Sequence, residues 1–250
     1  MSDDGVSRRH LLLGVAAGAV VTAGGVTSPH ARTIEGEVPW APGEADAPTP
    51  VEPGPYAFFT PEEAAFVEAA VARIIPADEL GPGAREAGCP FFIDRQLAGA
   101  YGRAERMYMQ GPWAKGDKTQ GYQSRLTPAL LYRTAIKAID DHCRASLGKK
   151  SFAQLGPADQ DKVLSNLEDG KLALDGAEGP TFFKLLLQNT QEGYFADPLY
   201  GGNKDMAAWK MIGFPGARYD YRDFVGKHGQ RYPLPPVAIR GRADWTVQSG

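Results

Sequence analysis

The sequence predicts an all-α protein. Apolar residues recur at helical spacing in several segments, and a threonine followed by proline marks a helix start twice, at Thr60-Pro61 and at Thr127-Pro128. No stretch of useful length alternates apolar and polar residues as a half-buried strand would. We therefore expect one helical domain over residues 57–213, preceded by a leader and an arm and followed by an extended tail.

Residues 1–31 have the features of an export signal peptide. Arg8 and Arg9 precede an apolar run from Leu11 to Val26, and a paired arginine at this place is typical of the bacterial twin-arginine pathway, which carries folded proteins. The run is short and rich in glycine for a membrane-spanning helix, and cleavage is expected after Ala23 or nearer Ala31. The alternative is that the arginines flank an uncleaved anchor. With either outcome, the chain is expected to function outside the cytoplasm.

Residues 32–56 are expected to form an extended arm. The stretch from Glu35 to Pro55 contains six prolines and five acidic residues, and it contains no basic residue. Such a composition buries too little apolar surface to offset the entropy lost on ordering.

The helices of the central domain are predicted from caps and periodicity. The first begins after Thr60, with Glu63 completing a capping box, and ends near Ile75 before a proline. A second begins near Pro90, and a long third helix extends from Pro128 to a stop at Gly148. Further helices are expected over residues 157–168, 180–192 and 203–211.

The tail, residues 214–250, combines prolines and aromatic residues without periodicity. We expect it to be extended, with large aromatic side chains of the kind enriched in protein interfaces. The alternative is that the tail wraps its own domain.

The two cysteines, Cys89 and Cys143, leave three states open in an oxidising compartment. They could form an internal disulfide, a bridge to another chain or two free thiols, and sequence alone does not give the connectivity.

Charge and motifs exclude several classes of function. A net charge of −3 gives no reason to expect a nucleic-acid partner. Among the histidines outside the leader region, His142 is predicted to be structural because its neighbours on a helix point away from it, which leaves His228 as the sole candidate base. Gly81-Pro82-Gly83 follows a helix rather than a strand, so it is not a dinucleotide-binding loop. We predict no catalytic residue, no bound cofactor and no metal site in this chain.

Three aspartates are candidate calcium ligands. Asp94, Asp197 and Asp205 lie near predicted turns, but no loop shows the alternating oxygen ligands of a calcium motif. We interpret them as caps and turn residues.

Several motifs together resemble the gluconate 2-dehydrogenase subunit 3 family. The resemblance covers about residues 58–218 and is carried by Phe59-Thr60, Arg73–Asp78, Gly81–Ala84, Phe92–Asp94, Gly193–Pro198, Tyr200–Asn203, Trp209 and Ile212–Gly216. It implies a periplasmic small subunit of a membrane-associated dehydrogenase. The partner would be a large flavoprotein of the glucose–methanol–choline oxidoreductase type that binds FAD, in some members with a multihaem cytochrome c carrying haem c. The small subunit would then carry the export signal for the large one through the twin-arginine translocase and assist its maturation.

Aromatic residues near the end of the domain are the candidate contacts for that partner. The segment 193–203 concentrates turn-forming and aromatic residues, and it is either a presentation surface or a helix connection. The predicted interface residues are Tyr194, Phe195, Tyr200, Trp209, Tyr219, Tyr221 and Tyr232. The competing hypotheses are a stand-alone periplasmic binding protein and an enzyme using His228.

Overall fold

A computed structural model describes residues 54–114, 116–117, 119–218 and 220–239. The predicted export signal at Arg8 and Arg9, most of the predicted arm, and Tyr219 lie outside these ranges.

The prediction of an all-α fold is confirmed. The described ranges contain no strand longer than an isolated bridge, and they contain six α-helices. These are α1 Pro61–Ile74, α2 Cys89–Ala98, α3 Pro128–Ser146, α4 Pro157–Glu168, α5 Gly179–Phe195 and α6 Ala207–Ile212. None of these six combines the length and the apolar composition that crossing a bilayer requires.

Helix α1 begins as its capping signal predicts. The Thr60 hydroxyl accepts a hydrogen bond from Glu63 N at 3.3 Å, and the Glu63 carboxylate accepts one from Thr60 N at 2.9 Å. These reciprocal bonds satisfy two amides that the first turn of a helix leaves without partners.

The core is built around the apolar face of α1. Phe66 is fully buried, and its ring centroid lies 4.6 Å from Phe152 and 6.2 Å from Phe182. Val67 and Val71 continue the same face and are also fully buried. Burying one such side chain contributes about 1.5–3 kcal/mol, so this face is a main source of stability.

In helix α5, the buried side chain of Asn189 forms hydrogen bonds with two tyrosines. Asn189 donates a hydrogen bond to the Tyr132 hydroxyl of α3 and accepts one from the Tyr101 hydroxyl, each at 3.0 Å. Both tyrosines are deprived of solvent, and burial raises the pKa of Tyr101 to about 12 and that of Tyr132 well above its ordinary value. All these groups are therefore neutral hydrogen-bonding partners near neutral pH.

One detail of the helix predictions is wrong. The last helix begins at Ala207 rather than near residue 203, because Asp205 and Met206 have positive φ angles that a right-handed helix excludes.

The tail returns to the domain that it leaves. Ala217 N donates to Val237 O at 2.7 Å, and Ala238 packs in a small buried cluster with Met206 and Trp209. The first contact closes the tail on itself, and the second packs its described end against its own domain, which was the alternative left open by the sequence.

Candidate partner-binding face

Exposed apolar side chains concentrate around α6. Of the ten large hydrophobic residues that are exposed in the described ranges, six lie within or beside this helix. We call these six residues the α6 face: Phe195, Tyr200, Met211, Ile212, Phe214 and Ile239. Clusters of exposed apolar residues on a soluble domain mark interaction sites more often than isolated ones do.

A buried tryptophan supports the α6 face from beneath. Trp209 is 5% exposed, its indole N–H donates to Phe195 O at 2.8 Å, and its ring meets Phe214 edge-on at a centroid distance of 5.1 Å. One buried side chain thus contacts both the backbone of Phe195 and the ring of Phe214.

Asp197 ties the tail to the same region. One carboxylate oxygen accepts a hydrogen bond from Leu199 N at 2.9 Å, and the other accepts one from Ile239 N at 2.8 Å. This carboxylate therefore places Ile239 of the tail next to Tyr200 and Phe195, although 39 residues separate Ile239 from Tyr200 along the chain.

The connection into α6 has unusual backbone geometry. Asn203, Asp205 and Met206 adopt positive φ angles of 47°, 57° and 52°. For residues other than glycine this region costs on the order of 1 kcal/mol each and persists only where surrounding contacts require it. Asn203 supplies such contacts, because its fully buried amide donates to Ala196 O and accepts from Ala208 N. The surface is thus held in one shape at a cost in backbone strain, which is a common feature of binding segments.

Two glycines allow the segment to approach the core closely. A Cβ on Gly202 would lie 2.0 Å from Gly193 O, and a Cβ on Gly88 would lie 2.8 Å from Gly201 O. Side chains at these positions would push the turn at Gly201 and Gly202 away from α2 and α5, so the small size of glycine is required here.

The structure divides the predicted interface residues into inward and outward groups. Phe195 and Tyr200 are 42% and 48% exposed, as a contact surface requires. Tyr194 is buried and donates to Pro82 O, and Trp209 is buried as described, so neither is presented to a partner. Their neighbours, the loop at Pro82 and the tail at Ala238, cover these two side chains in the described structure.

The remaining predicted residues lie in the tail. Tyr221 and Tyr232 are half-buried against each other at a ring-centroid distance of 6.0 Å, and the Tyr221 hydroxyl donates to Gly216 O. They pack the tail rather than the α6 face. Met211, Ile212, Phe214 and Ile239 belong to that face and are absent from the prediction, which contains aromatic side chains alone and does not include Phe214.

The two thiols are free and buried. The Cys89 thiol donates to Thr190 O of α5 at 3.6 Å, and Cys143 lies within α3. The internal disulfide, one of the three states left open, is therefore not formed. Burial raises the pKa of Cys89 to about 12 and that of Cys143 to about 11, so both thiols are protonated and unreactive at neutral pH.

The aspartates considered as calcium ligands have other partners. Asp94 is buried and accepts three backbone N–H bonds, Asp197 accepts two, and Asp205 is an exposed turn residue. In the described ranges, no three acidic, histidine or cysteine side chains come together as a metal site would require.

The candidate base, His228, has no hydrogen-bonded partner of the kind a catalytic base needs among the described residues. His228 is exposed on a turn of the tail, and within the described residues its ring takes part in no hydrogen bond or ion pair. Among the surface depressions, one of about 390 Å³ lies beside Arg133 and Asp141 and another of about 260 Å³ lies beside Tyr101 and Met107, and His228 lines neither of them.

Comparison with known proteins gives one match. A family model described as gluconate 2-dehydrogenase subunit 3 matches residues 61–216, which is more than half of the chain. The matched range begins at the first residue of α1 and ends just beyond α6, so it includes five of the six residues of the α6 face. No curated protein and no solved structure matches the chain.

Proposed function

The chain belongs to the gluconate 2-dehydrogenase subunit 3 family, and from this premise we propose that it is the non-catalytic small subunit of a periplasmic, membrane-associated dehydrogenase complex. Its partner is a large flavoprotein of the glucose–methanol–choline oxidoreductase type, which holds FAD and the substrate pocket. The complex oxidises gluconate, another sugar derivative or an alcohol. Some complexes of this kind contain a cytochrome c, which carries haem c, as a third subunit.

The observation that carries this proposal is the combination of the family match with a preformed apolar surface. The α6 face presents three aromatic and three aliphatic side chains on a strained but fully hydrogen-bonded support. Buried cores of protein interfaces are enriched in aromatic residues and methionine and depleted in charge. A partner that covers this face would remove its apolar surface from water without first having to order it.

Export of the large subunit is the second part of the proposal. The predicted twin-arginine signal is of the kind used for proteins that fold before they cross the membrane. A flavoprotein must fold around FAD to retain it, and a partner without its own signal needs a bound subunit that carries one. The small subunit would therefore bind the folded large subunit in the cytoplasm and cross with it.

Gentle extraction and affinity purification of the tagged full chain from its native host test the complex. The expected product contains a much larger polypeptide in equal amount and shows flavin absorbance. A preparation that stays monomeric and flavin-free at several detergent and salt conditions would contradict the proposal.

A substitution at the α6 face tests where the partner binds. Ile212 is 57% exposed on this face, and Val225 is 70% exposed in the tail away from it. Ile212→Asp should weaken binding of the large subunit at least tenfold, because it places an unpaired charge in an apolar contact. Val225→Asp, the matched control, should bind as the unaltered chain does, and both variants should keep the unaltered thermal unfolding temperature. Equal binding by the two variants would show that the partner contacts another surface.

A further inference from the structure

The connection between α2 and α3 is long, and its described residues contain no helix. It extends over 29 residues from Gly99 to Thr127, and we call it the basic loop. Connections beyond about 15 residues without secondary structure are uncommon in compact domains and are mostly functional or disordered. The function proposed above does not use this loop.

The base of the basic loop is fixed to the helices. The Tyr101 hydroxyl donates to Asn189 of α5, Gly102 O accepts from Ala129 N of α3, and Arg103 donates to Ala98 O at the end of α2. A Cβ on Gly102 would lie 1.9 Å from Leu97 O, so the chain passes too close to α2 for any other residue. The loop is therefore held on three helices rather than loosely attached.

The outer part of the loop also has its own hydrogen bonds. The Gln123 side chain accepts from Gly116 N at 2.9 Å and donates to Asp117 O at 2.6 Å, and the Tyr122 hydroxyl donates to Leu126 O at 2.6 Å. These bonds lie on the surface and fix the loop's own shape.

Charge distinguishes the basic loop from the rest of the molecule. It contains five basic residues and two acidic ones, a net charge of +3 in a chain whose net charge is −3. Arg106 and Arg125 are exposed, and neither is in an ion pair or side-chain hydrogen bond with another described residue. Their charges are thus available to a partner.

An apolar depression lies beside Arg106. It has a volume of about 260 Å³ and is lined by Ala100, Tyr101, Ala104, Arg106 and Met107. Next to it Tyr108 is 81% exposed, the largest exposure of any large hydrophobic residue in the described ranges. Arginine, tyrosine and methionine are the residue types enriched where proteins bind one another.

We infer that the basic loop is a second docking surface, and that it receives an acidic segment of a partner protein whose apolar side chain enters the depression beside Arg106. This inference rests on the proposed function, since the partner is the same large subunit that covers the α6 face. A carboxylate next to the inserted side chain would pair with Arg106, and further acidic groups would meet Arg125.

The two surfaces lie at opposite ends of α2. Ala87 and Gly88, just before α2, contact the turn that leads into α6, whereas the basic loop begins at the last residues of α2. A helix of ten residues is about 15 Å long. A standard interface of about 800 Å² on each partner is roughly twice as wide, so a single large subunit can reach both ends of α2.

Charge reversal in the full complex tests the inference. Arg106→Glu with Arg125→Glu should weaken binding of the large subunit at least tenfold at low salt and reduce the salt dependence of the affinity. The matched control is Lys150→Glu with Lys162→Glu, which makes the same change of charge at exposed lysines outside the loop. It should change the affinity less than twofold. A second variant, Ala100→Trp at an exposed position that lines the depression, should fill it and weaken binding without changing charge, with circular dichroism verifying the fold.

The outcomes separate this inference from the proposed function. If the unaltered chain forms no complex, the proposed function fails. If the complex forms and Ile212→Asp disrupts it while the arginine reversal does not, only the second docking surface is overturned. If the reversal abolishes binding to vesicles of anionic lipid but leaves the complex intact, the loop binds membrane lipid and the inference is wrong. The reversal could instead change the thermal unfolding temperature of the isolated chain and leave its affinity for the large subunit unchanged. If removing residues 35–53 changes that temperature in the same way, the loop binds the chain's own acidic arm and the inference is equally wrong.

Discussion

At the residue scale, one buried carboxylate organises the entry to the domain. Asp94 is 2% exposed, and its two oxygens accept hydrogen bonds from Ala57 N, Phe58 N and Phe59 N at 2.7–2.9 Å. Those three amides precede α1 and would otherwise lack partners on leaving water. The interaction joins α2 to a segment 35 to 37 residues earlier in the chain.

Replacement of this carboxylate should destabilise the whole domain. Asp94→Asn puts an amide NH₂ against backbone donors, and unsatisfied buried groups cost about 1–3 kcal/mol each, so the free energy of unfolding should fall by at least about 2 kcal/mol. Urea unfolding followed by circular dichroism measures the change. Asp175→Asn, at an exposed aspartate, is the control and should change stability by less than about 0.5 kcal/mol. Equal stability of the two variants would contradict the assigned role.

At the element scale, an ion pair fixes α1 against α4. Arg73 donates two hydrogen bonds to Asp161, each at 2.7 Å, in the bidentate geometry that suits a guanidinium and a carboxylate. These bonds, and then the charge of Arg73, hold the pKa of Asp161 below its ordinary value. The Asp161 side chain is 48% exposed, so solvent screens much of the attraction.

The stability contributed by this pair should depend on pH. Because the pKa of Asp161 is lower in the folded than in the unfolded chain, the contribution is complete above the unfolded value, about 3.9, and is lost as pH falls through the folded value. A double-mutant cycle with Arg73→Met and Asp161→Asn should give a coupling of about 0.5–1 kcal/mol at pH 7 that declines below about pH 4. A coupling of the same size at every pH would show that packing, not charge, connects these helices.

The elements also differ in how far local sequence specifies them. The start of α1 follows from neighbouring residues. Thr60 and Glu63 accept hydrogen bonds from each other's backbone N–H groups, and Pro61 occupies the first helical position. The start of α6 does not follow from neighbouring residues in this way, because the left-handed conformations of Asp205 and Met206 occur where Met206 packs with Ala238 of the tail and Lys204 N donates to Ala87 O. Aspartate adopts positive φ more often than most residues but not regularly, and methionine rarely does, so the local sequence does not specify this turn.

At the scale of the whole molecule, export of the large partner should require both the predicted leader and the α6 face that binds the partner. Arg8→Lys with Arg9→Lys is expected to retain both this chain and its large partner in the cytoplasm, because the translocase reads the arginine pair and the partner would travel bound to this chain. Cell fractionation followed by immunoblotting of both subunits measures the effect.

A second variant separates export from assembly. The chain with Ile212→Asp keeps its leader, so it should reach the periplasm while the large subunit stays behind. Normal export of the large subunit in the arginine variant would show that the partner has its own route, and the escort role would then be wrong.

The sequence by itself determined the class of the fold, the positions of most helices and the resemblance to a family of subunits. It could do so because caps, prolines and apolar periodicity act within one or two turns of the chain. The candidate surface depended on longer-range contacts. Tyr194 and Phe195 are adjacent and equally aromatic, yet the first is buried under the loop at Pro82 and the second is exposed above Trp209. Only the tertiary structure decided between them, because the burial of a side chain is set by distant segments that fold over it.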